Sequence, residues 1–103
     1  MSDSDSKSIK IEIKELSFKS EQHVTDLERF LSEALPQITL YRDGNEINVE
    51  MPIILSKRAL KLRIKKFLYK KDLNKDFRPI SFKTSEKEGY IVKERKTPEL
   101  SYY

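Results

Sequence analysis

The chain has 103 residues, with 21 Lys+Arg, 17 Asp+Glu, one His and no Cys; that length fits one domain with a small core. The lack of Cys excludes disulfides and thiolate metal sites, and no apolar run approaches the roughly 20 residues of a membrane span or reads as a secretory signal. The net charge of +4 conceals a division: residues 1–55 hold 6 basic and 11 acidic residues, a balance of −5, and residues 56–103 hold 15 and 6, a balance of +9.

Met1–Ser8 is rich in Ser and Asp without any period, and reads as a disordered acidic/Ser tail. Ile9, Ile11 and Ile13 alternate with Lys10, Glu12 and Lys14, the pattern of a strand with one apolar face. Leu16 and Phe18 are expected to continue it. Thr25-Asp26-Leu27-Glu28 fits a capping box, in which hydroxyl and carboxylate satisfy orphan backbone donors reciprocally. Leu27, Phe30, Leu31, Ala34 and Leu35 then form one helical stripe. Pro36 ends that helix, because it disfavours helical geometry in the residue before it.

Ile38–Arg42 and Asn45–Met51 read as a hairpin around Asp43-Gly44, a pair suited to a type I′ turn. That turn would pair Leu40 with Ile47 and Ile38 with Val49. Ser56 caps a second helix from about Lys57 to Leu73, with Leu60, Ile64, Phe67 and Leu68 as its apolar stripe. Ile80 and Phe82 alternate in a short strand, and Pro79 belongs at its start or on a sheet edge. Ser85–Gly89 reads as a polar turn, Tyr90–Arg95 as a last strand, and 97–103 as a flexible C-terminal tail. The order β-α-β-β-α-β-β predicts an α+β fold. It is a single mixed sheet of about five strands with two helices on one face, formed by residues 9–96. The opposite sheet face is then partly polar or covered by a partner.

The chemistry concentrates in Ser56–Lys75, which holds nine basic residues against Asp72 alone. On a helical projection with Leu60 at zero, Ile64, Phe67 and Leu68 fall within about 80°. Arg58, Leu62, Lys65, Lys66 and Tyr69 lie roughly 140–240° away, flanked by Lys61 and Lys70. A solvated helix face usually carries compensating Glu at i±4; this one has none. Lys and Arg that neutralise closely spaced phosphates release counterions, and Tyr69 suits packing on a ribose or base. The face therefore points to a polyanion, above all nucleic acid. Basic amphipathic helices also bind membrane surfaces or calmodulin-like partners, but here the apolar stripe is committed to a core. Lys75 closes the basic run, and Arg78, Lys83, Lys93, Arg95 and Lys96 would extend the patch. Lys71 lies near the apolar stripe, where its stem packs and its amine reaches water.

Catalysis finds no footing. His23 stands alone as a surface residue before the first helix, and Gly44 and Gly89 fall at turns, so no Gly-rich phosphate loop exists. There is no zinc signature. No carboxylate sits in an apolar run that would raise its pKa, and Asp43 and Glu46 read as turn residues. No catalytic residue, cofactor, metal or small-molecule substrate is expected.

Ser56-Lys57-Arg58, Leu60-Lys61, Lys65-Lys66, Leu68, Lys70, Leu73 and Arg78 together resemble the eukaryotic-type large-subunit ribosomal protein twenty-two family, without a gap over Ser56–Arg78. The layout of Ile9–Lys96 is consistent with that family. The resemblance implies a mixed α/β domain bound to large-subunit ribosomal RNA, structural rather than catalytic. It also implies a cytoplasmic ribosomal location, with neighbouring ribosomal proteins as further partners and no membrane. It maps RNA contact onto Lys57, Arg58, Lys61, Lys65, Lys66 and Lys70. Tyr69 departs from the family's usual Lys, and Asp76-Phe77 stands near the family's Trp-Leu. Thr97–Tyr103 takes the place of an acidic tail. These departures suit a divergent or archaeal-like member. Two other readings remain open from the residues: a free RNA- or DNA-binding regulator with the same fold, or a protein-interaction module using the acidic half or a sheet edge.

Overall fold

The computed structural model describes residues 6–95. The two expected tails therefore lie largely outside the described residues, although the first strand already begins at Ser6. The elements are β1 (Ser6–Glu12), α1 (Lys14–Lys19), α2 (Glu21–Ala34), β2 (Thr39–Asp43), β3 (Glu46–Pro52), α3 (Lys57–Lys70), β4 (Phe77–Lys83) and β5 (Glu88–Glu94). The strands form one mixed sheet in the order β2-β3-β1-β5-β4. Only the β1–β5 pair is parallel; the other three are antiparallel. The fold is α+β, with three helices among the described residues rather than two.

The alternating isoleucines make β1 the centre of the sheet. Ile9 and Ile11 are fully buried against the helices, while Lys10 and Glu12 alternate to the other side. Ile47, Val49 and Met51 of β3 and Tyr90 and Val92 of β5 join them. Val24, Leu27 and Leu31 of α2 and Leu60, Ile64, Phe67 and Leu68 of α3 complete the same cluster. The Phe30 and Phe67 rings meet tilted, with centroids 5.7 Å apart, where α2 crosses α3.

Several local expectations are corrected. Leu16 and Phe18 do not extend β1 but belong to α1, which puts them on different sides: Leu16 is buried and Phe18 is 79% exposed. The Glu15 carboxylate fixes α1 to the end of β5, accepting from the Glu94 amide at 2.6 Å and from Lys93 Nζ at 3.3 Å. The cap of α2 is Ser20, whose hydroxyl accepts from the Gln22 amide, and Thr25 lies inside the helix. Burial of Val24, one turn before the expected stripe, rewards the earlier start.

The hairpin turns at Gly44-Asn45, pairing Asp43 with Glu46, so Leu40 meets Val49 and Arg42 meets Ile47. Gly44 has φ +64 and Asn45 stays out of the positive region, which suits a type II′ turn rather than I′. The pairing moves by two residues, so Leu40 keeps its face. In β4 the core side chains are Phe77 and Pro79; Ile80 and Phe82 lie half-buried on the opposite face. Pro79 is tolerated because β4 is an edge strand. Gly89 is not in a turn but in β5, where a Cβ would stand 1.7 Å from the Lys10 backbone oxygen.

Candidate nucleic-acid interface

Helix α3 starts as its sequence dictates. Ser56 is extended and its hydroxyl accepts from the Ala59 amide at 3.2 Å. It ends at Lys70 rather than Leu73. Asp72 adopts a left-handed φ of 61. The Leu73 amide donates to the Leu68 carbonyl at 2.7 Å, and the Asp72 amide to the Tyr69 carbonyl at 3.0 Å. Those two bonds form a Schellman motif, sealed by burial of Leu73 beside Leu68. Asp supplies the left-handed residue that Gly more often provides. Lys75 consequently leaves the helix and lies exposed in the following turn.

The buried side of α3 leaves its cations on the other. Arg58, Lys65, Lys66 and Lys70 are exposed, and Lys61 and Arg63 are half-exposed at the margins of the core stripe. The two apolar residues of the outward face are in the open, Leu62 at 54% and Tyr69 at 75% exposure. The helix holds seven Lys/Arg and no Asp or Glu from Lys57 to Lys70. No ion pair forms at Arg58, Lys61, Arg63, Lys65, Lys66 or Lys70 among the described residues. This arrangement works against the helix. Lys57 and Arg58 stand in its first turn, where the macrodipole disfavours cations by about 0.3–1 kcal/mol each. Like charges at Lys57/Lys61, Lys61/Lys65 and Lys66/Lys70 each oppose helix formation by roughly 0.2–0.5 kcal/mol. Local rules broken this consistently are the kind of departure expected at functional sites.

Lys57 is the exception among the expected contact residues. Its ammonium turns toward the β4–β5 hairpin, donating to Ser81 Oγ at 3.1 Å and to the Phe82 carbonyl at 3.5 Å. It stands 3.9 Å from Glu88 Oε1 and 5.0 Å from the Tyr90 ring centroid. The Tyr90 hydroxyl donates back to the Lys57 carbonyl at 3.0 Å. Burial pushes the Tyr90 phenol above its ordinary pKa, Glu88 adds to the rise and Arg58 opposes it. Lys57 therefore locks the start of α3 onto the sheet and is withdrawn from the outward face. Lys71 is likewise occupied, 3.2 Å from Asp26 on α2.

An open cleft of about 1050 Å³ runs along α3 toward the β4 edge. It gathers Lys61, Lys65, Lys66, Tyr69, Lys70 and Arg78 of the expected set, and leaves out Lys57, Arg58 and Lys75. Arg63, which the sequence did not single out, also lines it, as does Arg95, one of the residues expected to extend the patch. Arg63 was hidden by its place beside the core stripe. Arg95 is brought in by the fold: its Nε donates to the Asn74 carbonyl at 2.9 Å and its amide to the Asp76 carbonyl at 2.7 Å. Lys93 is held by Glu15 instead, and Lys83 is exposed elsewhere on β4. Lys96 and the two terminal tyrosines lie outside the described residues.

No cluster of three or more metal-ligating side chains exists among the described residues. His23 is half-buried rather than fully at the surface, and no described helix is long and apolar enough to cross a membrane. In comparisons with known proteins, no family model matches the chain and no curated protein is significantly similar to it. The geometry is that of a rigid cationic face, suited to a surface of repeating negative charge.

Proposed function

We propose that this chain is a structural constituent of the large ribosomal subunit. It binds ribosomal RNA through the outward face of α3, as a divergent or archaeal-like member of the eukaryotic-type large-subunit ribosomal protein twenty-two family. Its setting is the cytoplasmic ribosome, and its role is architectural rather than catalytic. One observation carries the reading: six cations on α3 lack any acidic partner among the described residues, although the chain has nearly as many acids as bases. The five acids that form ion pairs among the described residues do so elsewhere, with Arg42, Lys87, Lys93, Lys71 and Lys57. The backbone of a helix fixed at both ends keeps the attachment points of its cations at constant spacing, so docking on phosphates orders the Lys and Arg side chains but not the helix. Neighbouring ribosomal proteins would be the further partners.

Sedimentation of the tagged chain through a sucrose gradient of cell extract tests this. At moderate salt it is expected in the large-subunit peak, with release at high salt. Persistent absence from that peak would overturn the ribosomal assignment. Recovery with other RNAs would favour a free nucleic-acid-binding regulator, and partners that all survive RNase would favour a protein-interaction module.

A further inference from the structure

A surface that only neutralises phosphates needs nothing beyond charge. The cleft beside α3 offers more. Its floor is apolar, made by Leu68 of α3 and Phe77 and Pro79 of β4. Tyr69, three-quarters exposed, lines it from near the C-terminal end of the basic face. The rim is cationic on both sides, from Lys65 on α3 to Arg78 on β4 and Arg95 after β5, and no Asp or Glu among the described residues lines it. Arg95 is tied to the Asn74 and Asp76 carbonyls, so this side of the rim is built and not a floating side chain. The volume, about 1050 Å³, lies just above the roughly 300–1,000 Å³ typical of ligand pockets.

An apolar floor, an exposed aromatic ring and a purely cationic rim fit a planar group carrying negative charge at its edges. We propose that the cleft receives a single unpaired nucleotide extruded from a folded RNA. The base lies against Tyr69 and the apolar floor, and the phosphates on either side meet Lys65, Arg78 and Arg95. Stacking on an aromatic ring is tolerant of base identity, so the cleft selects an unpaired position rather than a sequence. This inference rests on the RNA-binding reading and narrows it: the preferred site is a stem interrupted by a bulge, not a smooth duplex.

The test compares two RNA hairpins with the same stem and loop, one fully paired and one carrying a single bulged 2-aminopurine. The bulged hairpin is expected to bind about tenfold more tightly, and its 2-aminopurine emission to be quenched on binding, because one base gains an aromatic stacking partner. Tyr69→Ala should abolish the quenching and bring the two hairpins within about twofold of each other, while Tyr69→Phe keeps both effects. The Tyr69 side chain is exposed and makes no hydrogen bond among the described residues, so its replacement leaves the fold intact. Equal binding of both hairpins by the unaltered protein, or an unquenched base in the complex, overturns the cleft proposal while leaving RNA binding in place. Binding of neither hairpin, with capture of an acidic peptide instead, overturns both.

Discussion

Removing two charges from the middle of α3 separates electrostatic docking from folding. Lys65 and Lys66 are both exposed, neither has an acidic partner among the described residues, and both line the cleft. Each phosphate contact contributes about −0.7 to −0.9 to the slope of log K against log salt, the smaller value for single strands. The Lys65→Gln/Lys66→Gln variant should therefore have a slope shallower by about 1.4–1.8. Across a fourfold rise in salt, from about 50 to 200 mM, the unaltered protein should lose about tenfold more affinity than the variant. Fluorescence anisotropy with a ribosomal RNA fragment at several salt concentrations reads both quantities. The melting temperature should hold or rise, since the like-charge pairs Lys61/Lys65 and Lys66/Lys70 disappear. Identical slopes would show that neither ammonium meets a phosphate. A collapsed melting temperature would show that the outward face of α3 has been misassigned.

Three further outcomes follow from the packing. Phe67→Ala should lower stability by about 3–5 kcal/mol in urea unfolding, since Phe67 is buried beneath the cationic face and against Phe30; an unaltered midpoint would contradict the core assignment. Gly89→Ala should cost about 3 kcal/mol or more, seen as a fall in melting temperature of more than about 10 °C, because the new Cβ meets the Lys10 backbone, which cannot rotate away as a side chain can. The third concerns acid. A hydrogen bond from Arg42 holds the Glu21 carboxyl below its ordinary pKa, and hydrogen bonds from Gln22 and Lys71 do the same for Asp26. Lowered carboxylates stabilise the fold fully above their unfolded values of about 4, and that contribution disappears as pH falls through the lowered ones. Thermal melts from pH 6 to 2.5 should show the loss below about pH 4, smaller in Glu21→Gln/Asp26→Asn; equal acid sensitivity would assign the loss to other groups.

What the sequence made legible was whatever depends on neighbours along the chain. The isoleucine alternation located β1, and Ser56 with its apolar stripe located α3 and the face its cations would share. Places where two local signals competed were misread. Thr25 offers a fuller capping box than Ser20, yet the helix that starts earlier gains the burial of Val24, and that gain outweighs the box. Leu16 and Phe18 alternate like strand residues, but only Leu16 has a core to enter. Partners distant in sequence were not visible at all. Lys57 reads as one more contact residue until the β4–β5 hairpin places Ser81, Glu88 and Tyr90 around its ammonium. Gly89 reads as a turn glycine until β1 passes alongside it. The basic helix was thus readable from its own residues, and Arg78 and Arg95 as extensions of its charge, while the cleft between them came only from the packing of the β4 edge beside α3.

The pairing of β1 with β5 also governs when the domain comes into existence. Residues at opposite ends of the chain, Lys10 and Gly89, lie side by side at the middle of the sheet. The loop between them must close before either strand is rewarded, a long-range step of the kind that slows folding. During synthesis the hairpin β2–β3 can add to β1 as soon as it is made, but the other edge of β1 waits for residues 88–94. Until then α3 has no β4–β5 hairpin to hold its first turn, and Lys57 has no Ser81 or Glu88 to bind. No shorter N-terminal piece is a smaller version of this domain. The first turn of the cationic helix is held only once residues 88–94 have been made, so the helix exists first as a flexible polycation and last as a shaped surface.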